Sequence, residues 1–334
     1  MMTDDAAAAA RQSFIDQVRT VRQQLQQVIV GQDNVLDQLL ICALTGSHAV
    51  LVGAPGLAKT LMVKALASAF QWKFARIQFT PDLMPSDITG YELLSRDPVT
   101  GENRLHLRKG PVFANLVLAD EINRAAPKTQ SAMLEAMAEG HVTIGGETHH
   151  LEEPFLVIAT QNPIEQEGTY PLPEAQLDRF MMEIHIGYPT AAQEKEIVLR
   201  TTSSPIQLPT TNLSREAFLE LRSTVRQVPV ADSVAEYAVA LCQKSRPETA
   251  GGLDVVRQYV AFGAGPRGSQ NLVLAAKARA LLQNRTAPTI DDIRAVAVPI
   301  LRHRIILNHR AIGDEYSVEK LISELTASVK VLAA

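Results

Sequence analysis

The sequence predicts an α/β fold, a phosphate-loop core with a parallel sheet flanked by helices, followed by an all-helical region, and three observations predict it. Short apolar runs alternate with helix-period segments up to Pro189, the pattern of strands covered on both faces. A glycine-bearing loop ending in Lys59 and Thr60 joins the first of those runs to a helix. After Pro189 the strand signals stop and helix starts dominate. The expected organisation is an α/β core over 1–189, with an N-terminal helix and two insertions, and a helical domain over 190–334.

A helix is expected over about 12–28, because Phe14, Val18, Val21, Leu25 and Val28 recur at steps of four and three and form one stripe. Residues 1–10 are expected to fray. The first strand, near 48–52, runs into Gly53-Ala54-Pro55-Gly56-Leu57-Ala58-Lys59-Thr60, after which Leu61 and Met62 open the apolar face of a helix. In a strand-loop-helix of this kind the loop N–H groups and the positive end of the helix dipole converge on a polyphosphate. Lys59 then reaches the β- and γ-phosphate oxygens, and the Thr60 hydroxyl can join the shell of a Mg²⁺ ion. Ala58 stands where the pattern G-x-x-x-x-G-K-[ST] has its second glycine, and its methyl is tolerable with φ below zero. The alternative is a glycine-rich turn before an ordinary helix.

Further strands are expected near 73–79, 115–119 and 155–160. The run from Asn115 to Ala119 ends in Asp120-Glu121. A carboxylate at the C-terminal end of a strand beside the phosphate loop is where a nucleotide-bound Mg²⁺ takes an oxygen ligand, which suits Asp120. Glu121, one step further out, can orient and deprotonate an attacking water; the alternative is an acidic N-cap for the next helix. Asn162 lies beyond the following strand, where an amide can orient that water, or where it only begins the Asn162-Pro163 turn.

Two insertions interrupt the core. A polar stretch between Thr89 and Gly110 carries turn signals at Asp97-Pro98 and Thr100-Gly101, and a hairpin is signalled by His141–Ile144 and Thr148–Leu151 around Gly145-Gly146. In the C-terminal region Asp232 is expected to cap a helix from Ser233, Thr289 and Asp292 to form a capping box, and Ser317 to cap the last helix. Arg302, His303, Arg304, His309 and Arg310 read as a solvated or subunit-facing helix surface, with contact to a nucleic acid as the alternative.

Composition narrows the function classes. A chain of 334 residues with 46% hydrophobic content can bury a large core. Its net charge of −4 argues against a dedicated nucleic-acid binder, whose affinity is built from clustered Lys and Arg. Cys42 and Cys242 lack metal-like spacing and read as buried small hydrophobes in a reducing compartment, with a disulfide as the alternative. The start of the chain has no basic stretch of a signal peptide, and the longest apolar runs are too short to cross a bilayer, so a cytoplasmic location is expected.

Asp120-Glu121-Ile122-Asn123-Arg124-Ala125, followed by Lys128-Thr129-Gln130 and Leu134-Glu135-Ala136-Met137, strongly resembles the segment shared by MoxR-type AAA+ ATPases. Ile29 to Gln32, Gly53 to Thr60, Phe79 to Gly90, Ala159 to Pro163 and Leu172 to Phe180 look like that family's successive motifs, over roughly residues 28 to 310. Alanine is frequent there at the place of Ala58. The resemblance implies an AAA+ core with a helical lid that closes on the nucleotide, and Mg²⁺-dependent ATP hydrolysis in a homo-oligomeric ring, hexameric in relatives. It also implies chaperone-like remodelling of, or cofactor insertion into, a separate client protein, often one with a von Willebrand A domain.

The same resemblance assigns roles. Asn162 matches sensor 1, Arg179 in Leu177-Asp178-Arg179-Phe180 matches the arginine finger offered to a neighbouring subunit, and Gly31 and Gln32 are implied to lie near the base. Arg267, in Gly265-Pro266-Arg267-Gly268, looks like sensor 2, reaching the γ-phosphate of its own subunit. A salt bridge from Arg179 to Asp178 or Glu174, and a plain surface role for Arg267, are the alternatives. The two insertions resemble the helix-2 insertion and pre-sensor-1 hairpin of the clade, which line the pore or face clients. A magnesium-chelatase-like or DNA-directed motor subunit, or a nucleotide-gated scaffold with negligible turnover, are the competing readings; Glu121 and Arg179 count against the scaffold.

Overall fold

The computed structural model describes residues 4–96, 103–164, 168–211 and 213–329. In chain order the first part comprises helices α1 (Asp4–Val28) and α2 (Asp33–Thr45), strand β1 (Ala49–Val52), α3 (Lys59–Ala69), β2 (Phe74–Gln78) and α4 (Pro85–Thr89). The hairpin β3 (Gly90–Arg96) and β4 (Asn103–Lys109), β5 (Leu116–Asp120), α5 (Pro127–Glu139) and the hairpin β6 (His141–Ile144) and β7 (Glu147–His150) follow. Then come β8 (Leu156–Gln161), α6 (Glu174–Leu177) and β9 (Met182–His185). The remainder is helical: α7 (Ala191–Ser203), α8 (Arg215–Gln227), α9 (Asp232–Lys244), α10 (Asp254–Tyr259), α11 (Pro266–Leu282), α12 (Ile290–Leu301), α13 (His309–Gly313) and α14 (Val318–Ser328). A short antiparallel ladder between β10 (Val260–Phe262) and β11 (Ile306–Leu307) interrupts it.

Five strands form one parallel sheet in the order β2-β5-β8-β1-β9. Successive side chains of a strand point to opposite faces, and the burial follows that period. Ala49, Leu51, Leu116, Leu118, Leu156 and Ile158 pack with α1, α2, α3 and the C-terminal helices. Val50, Val117, Ala119, Val157 and Ala159 pack with Ile88 of α4 and Met133, Leu134 and Met137 of α5 on the other face. Each large side chain taken fully out of water there contributes roughly 1.5–3 kcal/mol. Four strands fall within a residue of their expected places. The edge strand β9 escapes the pattern, because Met182-Glu183-Ile184-His185 is short and half polar.

Several local expectations are corrected. Helix α1 begins at Asp4, not near residue 12: the alanine run is the best helix former available. Val18, Val21 and Leu25 are buried as the stripe requires, and Ile15 joins them, while the Phe14 side chain lies outside the described residues. The Asp97-Pro98 and Thr100-Gly101 turn signals also lie outside them; the flanks of that insertion pair in register from Gly90 with Lys109 to Arg96 with Asn103. The second hairpin turns through Gly145 and Gly146, at φ of 59° and 87°, as a two-residue hairpin turn demands. Asp232 occupies the first turn of α9, whose N-cap is Ala231. Ser317 caps α14, and Asp292 accepts from Thr289 N at 2.7 Å at the start of α12. Arg302, His303 and Arg304 are not a solvated surface: the chain turns inward after α12, and only His309 and Arg310 of that cluster are exposed.

His48, at the entrance to β1, ties strand β8 to the end of α5. Its Nδ1 accepts from Val157 N at 2.9 Å, and its Nε2 lies 3.1 Å from the Met137 carbonyl, which a neutral ring protonated on Nε2 satisfies. Burial pushes its pKa down to about 4. Protonation therefore favours the unfolded chain: this contribution is whole above about pH 6.5 and fades as pH falls toward 4. In denaturant titrations at about pH 7.5 and 4.5, we expect the stability advantage of the wild type over His48→Gln to shrink by about 2–3 kcal/mol on acidification.

Candidate active site

The phosphate loop leaves β1 where the strand direction must turn into α3. Gly53 packs flush against the Ile186 backbone, where an added Cβ would come 3.0 Å from the carbonyl oxygen, and Gly56 has φ +84°. Ala58, the last residue before the helix, has φ 57° and ψ 22°. This reverses the expectation of a negative φ: the turn into α3 is left-handed with or without a glycine, and the alanine holds it at a cost of about 1 kcal/mol. Helix α3 has no side-chain N-cap, so the backbone N–H groups of its first turn are presented to the loop. Lys59 Nζ donates to the Gly53 carbonyl at 2.5 Å, which lays the ammonium across the loop, and Thr60 is half-buried beside it.

A cavity of about 890 Å³ adjoins this loop. Gly56, Leu57, Ala58 and Leu61 form one wall, Ile29, Val30 and Gln32 another, and Pro189, Ile197 and Thr201 a third. Gln32 Nε2 donates to the Gly187 carbonyl at 3.0 Å, and Gly31, with φ +76°, leaves room for the Gln193 carboxamide. The slot between these walls, lined by both apolar side chains such as Ile29, Leu61 and Ile197 and polar ones such as Gln32 and Thr201, has the size and character of a site for a nucleobase and ribose. Gly53 and Ala54 are buried beneath the loop, Pro55 is exposed on it, and Lys59 and Thr60 head α3 at the phosphate end.

Both acids sit at the carboxyl end of β5. Asp120 is 7% exposed; its Oδ1 accepts from Thr160 Oγ1 at 2.6 Å, and its Oδ2 accepts from Arg76 Nε at 2.9 Å and Nη2 at 2.6 Å. Thr160 also accepts from Glu121 N at 2.8 Å, so one buried hydroxyl on β8 aligns both acids. Glu121 itself adopts φ 55°, and its Oε2 accepts from Gln78 Nε2 at 2.9 Å and Arg124 Nη1 at 3.1 Å. Glu121 does stand at the N-cap position of the short helix Ile122–Arg124, but its side chain makes no capping bond there. Thr160, Arg76 and Gln78 were missed in the sequence, although each is a polar residue in or ending an apolar run beside the acids.

Asn162 serves the turn through Oδ1, which accepts from Ile164 N at 3.2 Å, while its buried Nδ2 has no partner among the described residues. An orphaned buried donor costs about 1–3 kcal/mol, and a ligand oxygen would satisfy it. Among the described residues no three His, Cys, Asp or Glu side chains form a metal cage. Thr60 and Asp120 instead fit the few protein oxygens that a Mg²⁺ ion keeps when it arrives on phosphates.

The two arginines occupy a second cleft, of about 700 Å³, lined by Ser47, His48, Glu139, Arg179, Met181 and Arg267 among others. Ser47 and His48 precede β1 and Met181 precedes β9, so this cleft opens at the amino ends of the parallel strands, whereas the phosphate loop stands at their carboxyl ends. The four residues of β1 alone separate them by about 13 Å. Arg179 is exposed; its Nη1 donates to the Leu134 carbonyl at 2.8 Å, and it pairs with neither Asp178 nor Glu174 among the described residues. Asp178 is taken by Arg267 Nη1 and Arg304 Nε, both at 2.8 Å. Arg267, at the start of α11, therefore faces the cleft of Arg179. The structure does not bring it to the phosphate loop of its own chain, where the resemblance places it: the two lie at opposite ends of the strands.

Residues 48–182 match the family described as ATPase family associated with various cellular activities (AAA), and residues 254–325 match the AAA lid domain. Chaperone MoxR1 of Mycobacterium tuberculosis is 42% identical over 306 residues, covering 92% of this chain and 80% of that protein. Protein MoxR of Paracoccus denitrificans is 32% identical over 327 residues, covering 92% and 94%. A crystal structure of a Cytophaga hutchinsonii protein superposes with a TM-score of 0.91 at 41% identity, over 98% of this chain and 99% of that one.

The backbone at Ala58 generates a direct test. Ala58→Gly should leave thermal stability equal or raise it by up to about 1 kcal/mol, whereas Ala58→Val, β-branched at positive φ, should lower it by more than about 1 kcal/mol. Differential scanning calorimetry of the two variants checks both signs.

Proposed function

The chain belongs to the MoxR family of AAA+ ATPases, and from that premise we propose that it hydrolyses ATP with Mg²⁺ in a homo-oligomeric ring and uses the cycle to remodel a separate client protein. One convergence carries this reading. On the adjacent strands β5, β8 and β1, the carboxyl ends present Asp120 and Glu121, the Asn162 amide, which has no partner among the described residues, and the loop leading to the amino end of α3.

In this reading Lys59 and the α3 amino end hold the β- and γ-phosphates, and Thr60 and Asp120 hold the metal. Bound Mg²⁺ neutralises charge on the transferring phosphoryl oxygens. Glu121 accepts a proton from the attacking water, with Gln78 and Arg124 limiting its rotamers, and the Asn162 amide donates to that water or to a γ-phosphate oxygen. The walls at Ile29–Gln32 and Ile197–Thr201 clasp the base. Arg179 acts across the interface, and Arg267, sharing its cleft, belongs on the same side. The client, one with a von Willebrand A domain by analogy with relatives, meets the two hairpin insertions. No helix among the described residues is long and apolar enough to cross a membrane, which suits a ring working away from the bilayer.

Lys59→Ala is expected to abolish nucleotide binding, and Glu121→Gln to bind ATP normally while turnover falls at least about a hundredfold; equilibrium binding of a fluorescent nucleotide beside phosphate-release kinetics separates the two. Rings mixed from Arg179→Ala and Lys59→Ala subunits should regain hydrolysis, since each variant supplies what the other lacks. Absence of any regain in rings of normal size would refute action across the interface.

A further inference from the structure

The finger segment is not held by its own elements alone. Arg304, a residue of the C-terminal helical region just after α12, sends a guanidinium that is 2% exposed into the backbone of residues 178–181. Its Nε donates to Asp178 Oδ1 at 2.8 Å, its Nη2 to the carbonyls of Phe180 at 2.7 Å and Asp178 at 3.2 Å, and its Nη1 to the Met181 carbonyl at 3.0 Å. The peptide on either side of Arg179 is therefore clamped by one buried side chain of the lid. The other oxygen of Asp178 accepts from Arg267, the second cation of the cleft. His303, beside Arg304, adds a contact of 3.1 Å from Nε2 to the Phe180 carbonyl.

A buried guanidinium is expensive to keep in a fold unless its donors are used. Here they are spent on Asp178, Phe180 and Met181, which bracket the outward Arg179, and on the Ile300 carbonyl, and an uncharged hydrophobe of like volume would fill the space without holding those carbonyls. We propose that Arg304 and Asp178 are positioning residues for hydrolysis in the adjacent subunit: through them the lid sets where Arg179 and Arg267 point. Movement of the lid over its own nucleotide then reaches the arginines presented to the next one, because Arg304 travels with the lid and carries the finger backbone with it. This rests on the reading that Arg179 acts in trans.

Arg304→Lys keeps the charge and loses the fork that spans several carbonyls, and Asp178→Asn, at a half-exposed side chain, keeps the shape and loses the charge. Both are expected to bind a fluorescent ATP analogue within about twofold of wild type, while kcat falls about tenfold or more. Mixing either with Lys59→Ala subunits, whose fingers are intact, should restore hydrolysis at the variant's own site. The Arg179→Ala and Lys59→Ala mixture serves as the reference. If that reference fails to recover, the trans reading itself is lost. If it recovers while neither positioning variant loses kcat, or while their losses are not restored by mixing, the positioning role is overturned and the clamp is structural only. Should Arg304→Lys fail to fold, as circular dichroism and ring size would report, Asp178→Asn decides alone.

Discussion

The polarity of the five-stranded parallel sheet constrains everything else in this molecule. All carboxyl ends face one way, and they gather the phosphate loop, the two acids and Asn162; all amino ends face the other, and they gather Arg179 and Arg267. A side chain cannot pass through a sheet whose strands are buried on both faces. Within one chain the two groups therefore stand at opposite ends of the strands, which is the arrangement that the proposed action of Arg179 on a neighbouring copy calls for.

Two of the five non-glycine residues described with positive φ stand at the carboxyl end of the sheet. They are Ala58 and Glu121, on either side of the nucleotide-binding end, each at the point where a strand must turn sharply to present a functional group. Such conformations cost of order 1–3 kcal/mol and persist only when surrounding structure over-determines them. At Glu121 the determinants are visible: Thr160 receives its N–H, and Gln78 and Arg124 hold its carboxylate. The Asn162 amide, without a partner among the described residues, adds a third local cost, so this end of the sheet is prepared for a ligand at the expense of the ligand-free protein.

Much of this was legible in the residues because periodicity and motif chemistry are local. The four long apolar strands, the loop before Lys59, the acids after Ala119, the glycine pair of the second hairpin and the capping residues Thr289 and Ser317 are all signalled within a few neighbours. What escaped depends on partners distant in sequence. Thr160 and Arg76 matter only because β8 and β2 flank β5. Asp178 is spoken for by Arg267 and Arg304, about ninety and one hundred and thirty positions later, which is why a charge cluster after α12 read as surface. The side of the sheet to which Arg267 belongs follows from how α11 docks, and no local pattern encodes that. Ala58 was misjudged for another reason: propensity describes what a residue prefers, while the turn into α3 dictates what it must adopt.

The apolar cluster on one face of the sheet runs without a break from Val18 and Leu25 of α1, through Leu118 and Ile158, to Phe218, Leu241, Ile300 and Leu325 of the C-terminal helices. A polypeptide emerging from the ribosome must therefore wait for its last helix before that face is sheltered. Shortened versions ending after β9 would carry a wide greasy surface, inviting aggregation or capture by folding helpers, and transplanting the tail between relatives would require matching the whole seam.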